Sequence, residues 1–200
     1  GQFPLILGVS PALPVRNVQE LVDYAKAQPS KVNYAASAGP FQMAAELFNQ
    51  RTGTSFAFIP YKGSGDSVNA TMSGEVTMTF ADTAPIAGPL KSGKIRGLAV
   101  TGATRHPNWP ELPTMAEAGV SDMVINIWTG LVAPAGTPPA IVRKLTDEIA
   151  RVLKLPDVRE RLGGLGIDPV STTSEEFAKL IASEIRRWSA VAKAANIKAD

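Results

Sequence analysis

Short apolar segments alternate with helical segments along the first hundred residues of the chain. The apolar segments FPLILGV, KVNYAA, SFAFIPY and EVTMTFA are separated by stretches with helical spacing or cap signals, and KIRGLAVTG follows as a further strand. This order predicts an α/β fold whose parallel or mostly parallel sheet is covered by helices. In such sheets ligands bind at the carboxyl ends of the strands, where loops lead into helices.

The composition excludes several classes of site. The chain has no cysteine and one histidine, His106, so disulfides, thiolate metal sites and cysteine nucleophiles are excluded, and we expect neither a metal nor a cofactor. A net charge of +2 gives no reason to expect nucleic acid or an anionic membrane as partner. No apolar run approaches the roughly 20 residues that span a bilayer.

Charged residues are concentrated near the end of the chain. Residues 1–138 contain 9 Lys/Arg and 9 Asp/Glu, whereas the last 62 residues contain 11 and 9. The later residues are therefore expected to form exposed amphipathic helices. Because basic side chains are scarce in the earlier part, an anion bound there would depend mainly on backbone dipoles.

The later helical segments have few strands of their own to cover. PAIVRKLTDEIARVLK and SEEFAKLIASEIRRWSAVAKAA each carry an apolar stripe, and only LVAPA and DPVST are candidate strands nearby. We therefore expect the sequence to be the later part of a longer protein whose N-terminal residues supply the missing sheet. The segment APAGTPP, residues 133–139, is the best candidate for a linker.

The segment NYAASAGPFQMAAELFNQ, residues 33–50, runs from a strand through a tight turn into a helix that starts near Phe41. The free N–H groups of such a helix start, with the positive end of the helix dipole, suit a carboxylate or phosphate. Ser37 can add a hydroxyl and Gln42 an amide. The segment alone is equally consistent with a plain connection whose N–H groups face water.

Other polar residues follow predicted strands. Asp82 comes directly after VTMTFA and either binds a ligand or caps the next turn through Thr83 and Ala84, and capping is the commoner role. Lys62 follows IPY and either pairs with an anion or lies on the surface. Trp128, in a segment with alternating apolar residues, is expected to pack rather than to stack on a ligand.

A hydrolase is the enzymatic alternative. AASAG around Ser37 is one residue short of the nucleophile elbow G-x-S-x-G, and Asp82 and His106 follow in the order of α/β-hydrolases. Against this, Ala35 replaces the first glycine of the elbow and no HGGG-like segment is present. We expect His106, which lies between turn-forming residues, to be a surface-loop histidine.

Five stretches occur in a fixed order that resembles a known family: IPYKGSGDSVNATMSGEVTMTFAD, LKSGKIRGLAVTG, LPTMAEAG, APAGTPPAIVRKL and DVRERLGGLGIDPV. The family is the periplasmic solute-binding proteins of the tripartite tricarboxylate transporter, the TctC-like or Bug proteins. The resemblance runs from about Ile6 to Ile197. It implies a two-lobed Venus-flytrap fold with one lobe largely complete and the other only partly present. It also implies a non-enzymatic, monomeric, periplasmic protein that captures a small carboxylate for the permease subunits in the membrane. A ligand-sensing module with the same fold is a further alternative.

The resemblance also divides the chain. Residues 1–8 would be a hinge-crossing strand and a remnant of the first lobe, residues 9–129 the second, ligand-binding lobe, and residues 130–200 a mostly helical return to the first lobe. A glycine-rich ligand loop of typical members would lie in the part of the first lobe that is absent here.

The family's ligand segment, usually N-Y-x-S-x-G-x-G-[ST]-x-x-H-L-A-G-E-L-F, matches residues 33–48. Here it is two residues shorter, with Pro40 and Phe41 in the turn and Gln42 where the histidine usually stands, so the ligand preference is left open. Phe41 would narrow the pocket or offer a ring to the ligand, and FAD at 80–82 resembles the family's acidic strand-end motif. The implied ligand-binding residues are Ser37, Ala38, Gly39, Phe41, Gln42, Lys62, Gly63, Ser64, Asp82 and Thr83.

Overall fold

The computed structural model describes residues 1–37 and 39–197. The chain divides into two compact units. The sheet unit is Pro4–Ile127, and the helical unit comprises Gly1–Phe3 and the chain from Trp128 onward. These boundaries lie a few residues from the positions 8/9 and 129/130 that the family resemblance implies. The candidate residue Ala38 lies outside the described residues.

Strands and helices alternate through the sheet unit, and helices follow in the helical unit. The strands are β1 (Gln2–Pro4), β2 (Ile6–Val9), β3 (Asn33–Ala36), β4 (Ala57–Pro60), β5 (Met78–Ala81), β6 (Arg96–Val100) and β7 (Asn126–Trp128). The helices are α1 (Val18–Ala27), α2 (Pro40–Thr52), α3 (Ser64–Ser73), α4 (Thr83–Lys91), α5 (Pro139–Val152), α6 (Pro156–Gly164) and α7 (Ser174–Ala194).

A five-stranded sheet with the order β4-β3-β5-β2-β6 organises the sheet unit. Strand β3 is parallel to both β4 and β5, whereas β2 is antiparallel to both β5 and β6. Four strands thus run in one direction and only β2 runs against them. This confirms the predicted mostly parallel sheet. Strands β1 and β7 form a separate two-stranded sheet.

Helix starts follow the cap signals of the sequence. Asn17 begins α1, and its side-chain oxygen accepts a hydrogen bond from the Glu20 amide at 2.8 Å. Thr173 and Glu176 form a reciprocal capping box at the start of α7. Thr114 likewise accepts from the Glu117 amide at 3.1 Å, but it begins a turn and not a helix. Such caps depend only on residues close in sequence, so the sequence itself indicates them.

One part of the core of the sheet unit lies where α2 packs on the sheet. Phe48 of α2 and Phe80 of β5 are fully or almost fully buried, and their ring centroids are 5.9 Å apart in an edge-on arrangement. Phe56, just before β4, lies 6.1 Å from Phe48 on another side. These contacts hold α2, and therefore its first turn, against the sheet.

Helix α4 has no counterpart among the predicted elements. Its sequence TAPIAGPLK contains Pro85, Gly88 and Pro89, residues that disfavour a helix. Ile86, 0% exposed, packs in the core cluster that contains Ile6 of β2 and so keeps this segment helical. Conversely, two segments that the sequence suggested as strands, LVAPA and DPVST, do not form strands. Asp168 in the second segment makes only an isolated bridge to Gln2.

The helical unit exposes much of its apolar surface. Ile141 and Leu145 of α5 are 51% and 52% exposed, and Ile185 of α7 is 62% exposed. Trp128 packs edge-on against Phe177 of α7 with 5.4 Å between ring centroids, which confirms its predicted packing role. Within the described residues, no helix is both long and apolar enough to cross a membrane.

Candidate ligand-binding site

Three neighbouring strands end side by side at one edge of the sheet. Strand β3 pairs with β4 on one side, where Ala36 and Pro60, the last residues of the two strands, lie opposite each other. Strand β5 pairs with the opposite side of β3 and ends at the same end of the sheet. Neighbouring strands lie about 4.8 Å apart. Because β4, β3 and β5 lead into α3, α2 and α4, the starts of these helices share that edge.

None of the three helix starts is capped by a side chain. Gly63 precedes α3, Gly39 precedes α2 and Asp82 precedes α4, and no side-chain cap hydrogen bond forms at any of them. The starts of α5 and α6 also lack a side-chain cap, whereas those of α1 and α7 are capped. The first N–H groups of a helix have no partner within the helix, so these three ends present free donors and positive dipole ends to the same edge.

Three buried side-chain oxygens at this edge also lack partners. Within the described residues, Ser64 Oγ, Asp82 Oδ1 and Thr83 Oγ1 are buried and make no hydrogen bond. Thr83 is only 5% exposed. A buried polar group without a partner costs about 1–3 kcal/mol, so such groups are expected to be rare unless they have a function. Their position at two neighbouring helix starts marks this edge as a candidate binding site.

The sequence of α4 explains why Asp82 does not act as a cap. An N-cap side chain accepts from the second or third backbone N–H of the helix. The third residue of α4 is Pro85, which has no N–H, and Asp82 makes no cap hydrogen bond to Ala84 at the second position. The commoner capping role weighed for Asp82 is therefore wrong, and its buried Oδ1 has no hydrogen-bond partner.

The remaining candidate residues lie around the starts of α2 and α3. Ser37 directly follows β3 and is partly buried, as are Phe41 and Gln42 in the first turn of α2. Gly39 has a positive φ of 80°, which glycine adopts without strain. Lys62, just before Gly63, is exposed. The assignment of these residues to a ligand stays a prediction.

A buried network beneath α2 was not predicted from the sequence. The Tyr34 hydroxyl donates to Glu46 Oε1 at 2.6 Å, and the Asn49 amide holds the backbone of Phe56 in both directions, at 3.0 and 3.2 Å. Burial, followed by the Glu46 carboxylate, raises the pKa of Tyr34, so its hydroxyl stays protonated and donating. The network ties β3 to α2, whose first turn lies at the candidate site. Tyr34 fits an apolar strand pattern, so its spacing gave no sign of this contact.

The expectation that His106 is a surface-loop residue is wrong. It is 6% exposed, and its ring packs on Trp109 with 4.8 Å between ring centroids. Its Nδ1 accepts the Asn108 backbone N–H at 3.1 Å. Turn-forming neighbours suggested exposure, but the Trp109 ring covers the imidazole.

The buried His106 should make stability depend on pH. Burial lowers its pKa below the usual value of 6.5, so the unfolded chain binds a proton more readily than the folded one. The free energy of unfolding is therefore expected to fall as the pH drops through about 6.5. Urea unfolding of the wild type and of His106→Asn between pH 8 and pH 5 measures this contribution. If the free energy of unfolding falls no more for the wild type than for His106→Asn over this pH range, the prediction is contradicted.

The catalytic arrangement of a hydrolase is not present. Ser37 and Asp82 follow β3 and β5, but Asp82 Oδ1 has no partner and the His106 Nδ1 is occupied by a backbone N–H. In the part of the chain that the structure describes, no hydrogen bond joins Ser37, Asp82 and His106. The same residues contain no cluster of three or more side chains that suits a metal ion.

Solved structures of periplasmic binding proteins share this fold. An R. palustris protein solved with adipate matches with a TM-score of 0.87 and 34% identity. The match covers 98% of this chain and 66% of the R. palustris chain. MatC from Rhodopseudomonas palustris, solved with malate, matches with a TM-score of 0.80 and 28% identity over 95% and 66% of the two chains. The periplasmic binding protein BugD matches with a TM-score of 0.83 and 27% identity over 98% and 67%. The chain thus has the mixed α/β fold of periplasmic binding proteins and spans about two thirds of these structures.

The sequence comparison defines the family. The profile of the tripartite tricarboxylate transporter family receptor, TctC, matches residues 1–197. Protein BugT of Bordetella pertussis is 34% identical over 200 residues, which are 99% of this chain and 61% of BugT. A protein from the gbd 5′ region of Cupriavidus necator is 34% identical over 180 residues, 89% of this chain and 54% of that protein.

The chain belongs to the TctC family of tripartite tricarboxylate transporter receptors. This confirms the resemblance found in the sequence. The chain spans 54% to 61% of the length of these two curated relatives. Because members of the family are receptors and not enzymes, the hydrolase alternative is wrong.

Proposed function

We propose that this chain functions in a periplasmic receptor that captures a small organic acid and delivers it to the permease subunits of a tripartite tricarboxylate-type transporter. The supporting observation is the shared edge of β4, β3 and β5. There, three uncapped helix starts meet and the hydroxyls of Ser64 and Thr83 are buried without partners. Such an edge offers many donors and suits an anion.

The chemistry of this edge favours a carboxylate held by backbone groups. Each helix start supplies N–H donors and a partial positive charge, and hydroxyls add further donors. Hydrogen bonds from such groups to a charged acceptor are roughly twice as strong as those between neutral groups. Similar proteins solved with adipate and with malate are consistent with a small dicarboxylate as the ligand class.

In this proposal the sheet unit is most of the ligand-binding lobe of a two-lobed receptor. The helical unit, with the first residues of the chain, belongs to the other lobe. Ligand binding would favour a closed state only to the extent that the ligand binds that state more tightly than the open one. We further propose that the receptor works as a monomer. No role as a sensor is needed to account for these features.

Calorimetry with matched acids and amides tests the proposal. We expect at least one small mono-, di- or tricarboxylate to bind, and to bind about tenfold or more tightly than its uncharged amide, because the helix starts favour negative charge. Succinate with succinamide and adipate with adipamide are matched pairs. Equal binding of acid and amide, or the absence of binding across the panel, would contradict the proposal.

A further inference from the structure

A chain of hydrogen-bonded side chains runs from the core of the sheet unit to the start of α2. Tyr34 of β3 is 0% exposed, and its hydroxyl donates to Glu46 Oε1 at 2.6 Å. The other oxygen of Glu46 accepts from the Asn49 side-chain amide at 3.4 Å. Gln42 precedes Glu46 by four residues, so the two side chains lie on the same face of α2. Gln42 is therefore one turn closer to the candidate edge.

The Tyr34 hydroxyl links Glu46 to Gln42. Burial, followed by the Glu46 carboxylate, raises the pKa of Tyr34, whereas a hydrogen bond with the Gln42 side chain acts to lower it. A hydrogen bond lowers the pKa of a phenol when it is donated to the phenol oxygen. The same direction follows from the inventory of donors. A carboxylate only accepts, so the single O–H of Tyr34 is directed at Glu46, and the Gln42 amide must supply an N–H.

This contact fixes how the Gln42 amide is turned. Its nitrogen faces Tyr34, which leaves the second N–H and the carbonyl oxygen for other partners. A glutamine side chain has several rotatable bonds, and ordering it on ligand binding would reduce the affinity through lost conformational entropy. Because Tyr34 already holds the amide in the free protein, most of that loss is avoided. Glu46 takes part by fixing the direction of the Tyr34 proton.

We propose that Tyr34 is a positioning residue for ligand binding and that it acts through Gln42. Tyr34 is fully buried and does not itself touch the ligand. Its hydroxyl holds the amide of Gln42, one of the candidate ligand-binding residues, in the orientation in which that amide meets the acid. This inference rests on the proposed function and adds to it a residue that lies behind the candidate edge.

A double-mutant cycle tests the inference by calorimetry with succinate and adipate. Tyr34→Phe keeps the buried ring and removes the hydroxyl, so the acid that binds should bind about three- to tenfold more weakly. Gln42→Ala should weaken binding by at least as much. Because Tyr34 acts through Gln42, the double variant should bind within about twofold of Gln42→Ala alone. If the two losses multiply in the double variant, the inference is overturned and the proposed function stays intact.

Two further measurements separate positioning from a general effect on stability. In NMR spectra of the free wild-type protein, NOEs should connect the Gln42 side-chain amide protons to the Tyr34 ring, and their absence would overturn the inference. Thr77→Val is the matched control, because it removes a buried hydroxyl that bonds to Asn33 at the far end of β3. It should lower the melting temperature and leave the affinity unchanged. An equal loss of affinity in Thr77→Val and Tyr34→Phe would show a merely structural role. If neither acid nor any other of the carboxylate panel binds the wild type, the proposed function fails and this inference with it.

Discussion

Replacing Thr83 by valine is expected to stabilise the free protein and to weaken its binding of an organic acid. Thr83 is 5% exposed and its hydroxyl has no partner. Valine has nearly the same shape without the hydroxyl, so the substitution removes a burial cost of about 1 kcal/mol or more, equivalent to roughly 2–4 °C in melting temperature. If Thr83 contacts the acid as proposed, the same change removes that contact and should lower the affinity about tenfold.

Two control variants separate the hydroxyl from other effects. Thr83→Ser keeps the hydroxyl and should retain binding, whereas Thr104→Val changes an exposed threonine in a loop and should leave binding unchanged. Thermal unfolding and calorimetry on the three variants measure both quantities. A less stable Thr83→Val protein with wild-type affinity would show that this hydroxyl serves the fold and not the ligand.

Phe48→Ala is expected to have the largest effect on stability. The Phe48 side chain is 0% exposed and contacts the rings of Phe56 and Phe80, so its removal leaves a cavity between α2 and the sheet. A loss of about 3–5 kcal/mol in the free energy of unfolding is typical of such a change. Urea unfolding at neutral pH measures it. Phe41→Ala, at the partly exposed start of the same helix, should cost far less. A loss below about 1 kcal/mol for Phe48→Ala would contradict this account of the core.

These two predictions have opposite signs for a physical reason. Phe48 is in a packed core where every contact favours the folded state. Thr83 and Asp82 are at a sheet edge where the free protein leaves polar groups unpaired. Binding sites commonly retain such groups at a cost in stability, because the groups are satisfied only when the ligand is present. Substitutions at this edge should therefore change stability and affinity in opposite directions, whereas substitutions in the core should change both in the same direction.

The fold of the sheet unit could be predicted largely from local patterns. Apolar runs with strand length, cap residues and Gly53 at the end of α2 all act over a few residues, so the sequence itself reports them. The alternation of these elements then predicts parallel strands and a common edge. For this reason the sequence alone places Ser37, Lys62 and Asp82 at the ends of strands.

Features that depend on distant residues could not be predicted in this way. Helix α4 exists despite Gly88 and Pro89 because Ile86 is buried in the core cluster against other elements. His106 is buried by the Trp109 ring although its neighbours favour turns. The hydrogen bond between Tyr34 and Glu46 depends on how α2 is rotated on the sheet. None of these contacts leaves a local signal in the sequence.

Asp82 is a residue for which the local sequence pattern favours the wrong role. An aspartate before a helix is usually a cap, and the sequence favoured that role. The decisive residue is Pro85, since it removes the N–H that the aspartate would bind. Once α4 is known to begin at Thr83, the same four residues indicate a free carboxylate rather than a cap.

We propose that an organic acid binds at the shared edge of β4, β3 and β5. Amide NMR spectra, recorded while the tightest-binding acid is added, locate the binding site residue by residue. We predict that the largest shifts occur at the backbone N–H groups that begin α2, α3 and α4, among them those of Phe41, Ser64 and Thr83. Shifts concentrated in the helical unit instead, around Trp128 and Phe177, would contradict the claim.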